Sequence, residues 1–277
     1  MGGRLTVLEA GDRPLWSAAP QAAGPVPRPM LATGASRGWS SFGRILCVRL
    51  DAIGDVLMTT PAIRALKAAR PDRHVALLTS TAGATAGGLL PEVDEVLVHD
   101  PPWMKATPER DGPDADRALI EVLAAGGYDA AVIFTVQSQP ALPAALLVYL
   151  AGIPRRLGHS RENPYQLLTE WLPEPEPDEP VRHEVRRQLD LVAAVGIETA
   201  DERLSLRVPA DASRRVRDRL GRLGIDVRRP WLLVHPGSTA PSRTYPAPFW
   251  AAAVREIAAA TDWPVVWSGG PNERSFV

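Results

Sequence analysis

Short apolar runs alternate with longer amphipathic stretches from residue 44 onward, and that alternation organises the chain. The run ILCVRL, residues 45–50, predicts a buried strand. The following DVLMTTPAIRALKAA carries apolar side chains at Val56, Leu57, Ile63 and Leu66, the spacing of a helix packed on a sheet. Proline starts a helix but does not sit deep inside one, so Pro61 places the helix start near Thr60 or kinks the first turns. HVALLTS (74–80) predicts a strand, TAGATAGGLLPEV a loop and short helix, and VDEVLVHD (93–100) another strand. A helix over 116–125, a strand at YDAAVIFT (128–135) and a helix at ALPAALLVYLAG (141–152) continue the series. RRLGHSRENPY, with Arg155, Arg156, His159 and Arg161, reads as a solvated loop or, alternatively, as the lining of a cleft for an acidic substrate, and the acidic LPEPEPDEP (172–180) interrupts the pattern. Helices are then expected over 183–196, 210–224 and 247–260, with strands at WLLVH from Trp231 and at VVWSGG (265–270).

Strands separated by helices of this length predict an α/β fold with a mainly parallel sheet covered on both faces. From Trp231 onward two strands and one helix are too few to bury a sheet. They predict a second α/β domain that has begun and is incomplete, or alternatively an extension of the first sheet. Residues 1–40, rich in Gly, Pro, Ala and Ser without a sustained period, are expected to be a disordered extension. The expected organisation is therefore an extension over 1–40, a first domain with linker over 41–205, and an incomplete second domain over 206–277.

A formal net charge of −1 gives no reason to expect nucleic acid as a partner. Cys47, the single cysteine, lies in an apolar run and reads as a buried thiol. No stretch reaches the about 18 apolar residues of a membrane span, and the N-terminus lacks the layout of a signal peptide, so a cytoplasmic protein is expected. His74, His99, His159 and His183 lack metal-ligand spacing.

Open α/β sheets bind ligands beyond the carboxyl ends of their strands, and three segments fall there. LDAIGD follows the first strand without a GxGxxG fingerprint. Its Gly54 permits a tight turn and close approach of a ligand, while Asp55 is either a helix cap or a base for a bound hydroxyl. Gln137 and Ser138 follow a later strand and are candidate donors to a sugar or members of a local turn. HPGSTAPSR, 235–243, offers backbone N–H groups from Gly237 to Thr239, the Ser238 and Thr239 hydroxyls, and the Arg243 fork for a phosphate or pyrophosphate. His235 either contacts that ligand or bonds the loop backbone.

RILCVRLDAIGDVLMTTPAIRALKAARP resembles the opening of the heptosyltransferase-like glycosyltransferases, glycosyltransferase family 9. VHPGSTAPSRTYPAPFW and VVWSGGPNE resemble the start of that family's second domain, and the likeness spans residues 44–277. It implies a GT-B type fold of two Rossmann-like domains, the first complete and the second only begun. It implies inverting transfer, without metal or cofactor, from a nucleotide diphosphate-sugar such as ADP-heptose to a glycan or glycolipid hydroxyl. Peripheral contact at the inner face of the cell membrane goes with such an acceptor.

By the same resemblance Asp55 matches the base and Gly54 its neighbour on the acceptor side. Gly237, Ser238 and Thr239 match the phosphate loop. Arg243 stands where heptosyltransferases frequently carry lysine. The family continues with further strands and an aspartate-bearing Gly-Pro-x-His-like run that has no counterpart here. The alternatives are therefore an inactive, truncated transferase-like protein or another nucleotide-dependent α/β enzyme.

Overall fold

The computed structural model describes residues 30–31, 38–105, 107–175, 180–238, 241–270 and 273. Apart from 30–31 and 38–40, the expected extension over 1–40 lies outside the described residues. By contacts the chain divides after Arg207 into two units.

In the first unit, β1 (Met30–Leu31), β2 (Arg44–Arg49), β3 (His74–Thr79), β4 (Glu95–Val98), β5 (Ala130–Ile133), β6 (Arg155–Ser160) and β7 (Glu170–Pro173) form one sheet. Its order is β1-β7-β6-β5-β2-β3-β4, parallel throughout except for β1 against β7. The chain winds outward from β2, first through β3 to β4, then back through β5 to β7. This is the doubly wound Rossmann-like order, and its direction reverses between β2 and β5.

The connecting helices are α1 (Ile53–Ala69), α2 (Thr81–Gly87), α3 (Asp114–Ala125), α4 (Leu142–Leu150) and α5 (Glu184–Ala193). Ile45, Cys47, Val75, Leu77 and Val132 point to one face, where they meet Val56, Ile63 and Leu66 of α1 and Leu191 and Val192 of α5. Leu46, Val48, Ala76, Leu78 and Ile133 point to the other, against Leu119 and Leu123 of α3 and Ala145 and Val148 of α4. Because both faces are covered, the strands are written as unbroken apolar runs. Burial of Cys47 raises its thiol pKa to about 12, which keeps it protonated and inert.

Three expectations need correction. Pro61 does sit inside α1, which begins at Ile53. The carbonyl of Leu57, which Pro61 cannot serve, accepts instead from the Thr60 hydroxyl at 2.7 Å. RRLGHS is strand β6, and EWLP is strand β7 beside it. The Arg156 guanidinium points inward and donates to the carbonyls of Leu167 and Gln166 at 2.8 and 2.7 Å, so a charged position is compatible with a buried strand. Trp39, counted in the expected extension, is ordered: it and Phe42 are buried in the core, and buried Arg73 donates to their carbonyls at 2.6 and 3.0 Å.

The second unit contains α6 (Ala210–Arg222), β8 (Leu232–Val234), α7 (Ala247–Thr261) and β9 (Val265–Trp267). β8 and β9 pair in parallel as a separate two-stranded sheet and do not extend the first one. Among the described residues no helix is long and apolar enough to cross a membrane.

Candidate functional site

β2 ends in Arg49 beside the point where the winding reverses, and a short turn leads into α1. The N-cap of α1 is Ala52, with no side-chain capping bond. Asp55 is the third residue of the helix, in its first turn, where the helix dipole favours a carboxylate. Its Oδ1 lies 3.3 Å from Nη2 of Arg49, and its side chain remains 36% exposed. Asp55 is thus an ion-paired, solvent-reachable carboxylate rather than a cap.

Arg49 is wholly buried and serves three carboxylates. Its Nε is 2.9 Å from Asp51 Oδ2, and its Nη1 is 2.9 Å from Glu184 Oε1. A guanidinium taken out of water requires such anionic neighbours; they meet it as charge pairs, since none of its three nitrogens makes a hydrogen bond among the described residues. Burial pushes the Asp51 carboxyl above its ordinary pKa; Arg49 opposes the shift, and Asp55 and Glu184 add to it.

Helix α5 supplies Glu184, Arg187 and Gln188, which the i, i+3, i+4 spacing places on one face. Gln188 Nε2 donates to Glu184 Oε1 at 2.7 Å and to the Thr135 carbonyl at 3.0 Å, just beyond β5. Arg187 Nη1 donates to the same carbonyl, and Arg187 Nε donates to Glu174 Oε2 at 2.8 Å. A continuous polar network therefore runs from Asp55 through Arg49, Glu184, Gln188 and Thr135 to Arg187 and Glu174. Arg49, Asp51, Glu184, Arg187 and Gln188 were not singled out from the sequence. One signal was available: Arg187 and Gln188 precede the core residues Leu191 and Val192 by four positions, so both point toward the core.

Gln137 and Ser138 occupy the turn after β5, and Ser138 is exposed. The backbone carbonyl and Oε1 of Gln137 accept from Arg161 Nη2 at 2.7 and 2.9 Å. Gln137 lines a cavity of about 180 Å³ at the carboxyl ends of β5 to β7 with His159, Ser160, Arg161, Glu174 and Arg187. His159, expected in a solvated loop, is buried on β6. Burial, reinforced by the Arg187 charge, holds its imidazole pKa well below the ordinary value. Gly54 is exposed, and a Cβ built there meets nothing within 4 Å, so the space beside it is open.

On the second unit, His235 follows β8 and its Nδ1 lies 3.2 Å from the Ser268 hydroxyl. Arg243 is exposed in a 3-10 turn, Pro241–Arg243, and Ser238 is exposed in the loop before it. Thr239 lies outside the described residues. Gly237 is packed so closely against the Glu273 carboxylate that a Cβ would collide with it. Glu273 Oε2 also accepts from the Gly270 N–H at 2.5 Å. In this arrangement a carboxylate fills the turn where the sequence suggested a phosphate.

Comparison with curated proteins gives no match. Among solved structures, a family 9 glycosyl transferase from Veillonella parvula superposes with a TM-score of 0.69 at 19% identity, covering 85% of this chain and 64% of that one. The ADP-heptose lps heptosyltransferase II of E. coli gives 0.61 at 20% identity, covering 84% and 66%. The E. coli heptosyltransferase WaaC with ADP gives 0.58 at 19%, covering 84% and 70%. The chain thus spans less than two thirds of the Veillonella structure, and at these identities the likeness speaks for the fold, an α/β architecture of GT-B-like Rossmann type. The family model for glycosyltransferase family 9 (heptosyltransferase) matches residues 117–276, a segment that includes α5 and the 235–243 loop and begins after Asp55. That match takes in more than half of the residues, and the chain belongs to glycosyltransferase family 9.

Proposed function

We propose that the protein transfers a sugar from a nucleotide diphosphate-sugar to a hydroxyl of a glycan or glycolipid, with inversion at the anomeric carbon. The observation that carries this reading is the Asp55 carboxylate, fixed by buried Arg49 at the carboxyl end of β2 yet open to solvent. Asp55 takes the proton as the acceptor oxygen attacks the anomeric carbon, and the bond to the diphosphate breaks. On the donor half, Arg243 and the Ser238 and Thr239 hydroxyls stabilise the negative charge on the departing diphosphate, with His235 at its edge, and the Gly237 backbone joins them once the Glu273 carboxylate leaves its turn. Gly54 leaves room for the acceptor, and Gln137 and Ser138 face it from the turn after β5. The name of the E. coli ADP-heptose lps heptosyltransferase II favours ADP-heptose as donor and lipopolysaccharide as acceptor, and the ADP bound to WaaC fits an adenine nucleotide donor. A glycolipid acceptor places the protein in the cytoplasm, in peripheral contact with the inner face of the membrane.

A second reading, a transferase-like chain without turnover, is favoured by the donor half. There the Glu273 carboxylate occupies the Gly237 turn that a donor phosphate would need. Incubation with ADP-heptose and a panel of other nucleotide diphosphate-sugars, with hydroxylated acceptors, separates the two. Product of inverted anomeric configuration by NMR is the expected result. Donor binding without product supports the second reading, and retention of configuration contradicts the mechanism.

A further inference from the structure

Glu184 touches the same guanidinium as Asp55 yet has no part in the transfer chemistry so far. Arg49 Nε is 2.9 Å from Asp51 and Nη1 is 2.9 Å from Glu184, whereas Nη2 is 3.3 Å from Asp55. Exposure follows the same order: the side chains of Asp51 and Glu184 are 12% and 21% exposed, and that of Asp55 is 36% exposed. The two inner carboxylates hold the buried cation most closely, and Asp55 meets it from farthest away.

Charge governs this cluster. Arg49 is wholly buried and makes no hydrogen bond among the described residues, so its neighbours reach it as charges. One positive charge faces three negative ones, and out of water each is felt by the others. At Asp51, burial raises the carboxyl pKa, Arg49 opposes the rise, and Asp55 and Glu184 add to it. Glu184 is fixed on α5 by Gln188, whose Nε2 donates to its Oε1 at 2.7 Å. Arg187, the next cation on its face of α5, is taken up by Glu174. The charged groups around Asp55 are therefore Arg49 of β2, Asp51 of the turn and Glu184 of α5, with the amino end of α1.

A general base must be ionised and must still bind a proton well. Arg49 and the positive end of α1 favour the carboxylate but weaken its hold on a proton, and a nearby negative charge acts the other way. We propose that Glu184 is a positioning residue of the transfer reaction: by holding Arg49 it keeps that cation's charge off Asp55 and leaves Asp55 able to take the acceptor's proton. The proton passes from the acceptor hydroxyl to Asp55 alone, and Glu184 stays ionised throughout. The proposal rests on the reading of Asp55 as the base and deepens it.

The test is a carboxyl NMR titration of the full chain with ¹³C-labelled aspartate and glutamate, the Asp55 resonance being identified by its loss in Asp55→Asn. Glu184→Gln removes the charge but keeps an oxygen for the Gln188 donor, and it should lower the Asp55 titration midpoint by about one pH unit. Glu184→Asp keeps the charge and should stay closer to wild type. A role through shape alone would reverse that order, because glutamine keeps the length of the side chain and aspartate does not. In turnover, the acid limb of the kcat profile should move to lower pH in Glu184→Gln while donor KM is unchanged. Should the variants fail to fold, wild type decides: its Asp55 curve should depart from a single-site titration at the pH where Glu184 titrates. An Asp55 midpoint that stays or rises in folded Glu184→Gln, or a single-site Asp55 curve in wild type, would overturn the proposal. Turnover is the separate readout for Asp55 itself. No product, or equal turnover in wild type and Asp55→Asn, defeats the base reading; turnover that needs Asp55 beside an unmoved midpoint defeats only the role of Glu184.

Discussion

Arg49 concentrates the electrostatics of the first unit, since one buried guanidinium meets Asp51, Asp55 and Glu184. Replacing it with methionine keeps much of the volume and leaves three carboxylates facing one another without a cation. Removing one partner of a buried ion pair costs ~3–5 kcal/mol, and Arg49→Met should lose that much in urea denaturation. A loss under ~1 kcal/mol would mean that water screens the cluster as it does surface pairs. His159 makes a separate, pH-dependent contribution. Its folded pKa lies well below 6.5, so over that interval the unfolded chain binds more protons. Stability therefore falls as pH drops from about 6.5 through the folded value, and above 6.5 this contribution is constant. Thermal melts from pH 7 to pH 5 should decline more steeply for wild type than for His159→Gln; equal slopes contradict the assignment. The raised pKa of Asp51 acts with the opposite sign, costing stability as pH rises above 3.8, and it is shared by both proteins.

Among the elements, α1 depends on a substitution of partners. The Thr60 hydroxyl donates to the Leu57 carbonyl that Pro61 leaves unserved, and it accepts from the Ser205 N–H at 2.9 Å. Thr60→Val, nearly isosteric, strands two buried backbone groups and should destabilise the protein by ~1–3 kcal/mol in chemical denaturation. A neutral outcome would show that neither bond matters. The same helix marks a limit of sequence reading. The apolar period located α1, but the way its backbone tolerates Pro61 depends on a neighbouring hydroxyl that no pattern announces. Strands β2, β3 and β5 were legible because burial on both faces writes them as unbroken apolar runs. β6 was not, because Arg156 and His159 interrupt the run and find their partners inside the fold. β7, at Glu170–Pro173, is too short and too close to the acidic proline stretch to carry a signal. The amphipathic pattern of α5 was clear, whereas the inward direction of Arg187 and Gln188 follows only from packing.

At the scale of the molecule, the alternation of strands and helices already implied a doubly wound sheet, and the reversal between β2 and β5 locates its ligand-binding edge. Asp55 was legible as a candidate because it follows the first strand. The Arg49 cluster behind it was not, because it joins residues from β2, α1 and α5 that are far apart in sequence. The two expected halves of the chemistry also fall on separate units, Asp55 before Arg207 and the 235–243 loop after it. That separation gives the account its most direct test, a comparison of wild type and Asp55→Asn for both turnover and nucleotide diphosphate-sugar affinity. If Asp55 is the base, turnover falls by ~10²–10⁴ while donor affinity by calorimetry is unchanged. Equal turnover in the two proteins would contradict the central claim and leave Asp55 as an ion-pair partner of Arg49.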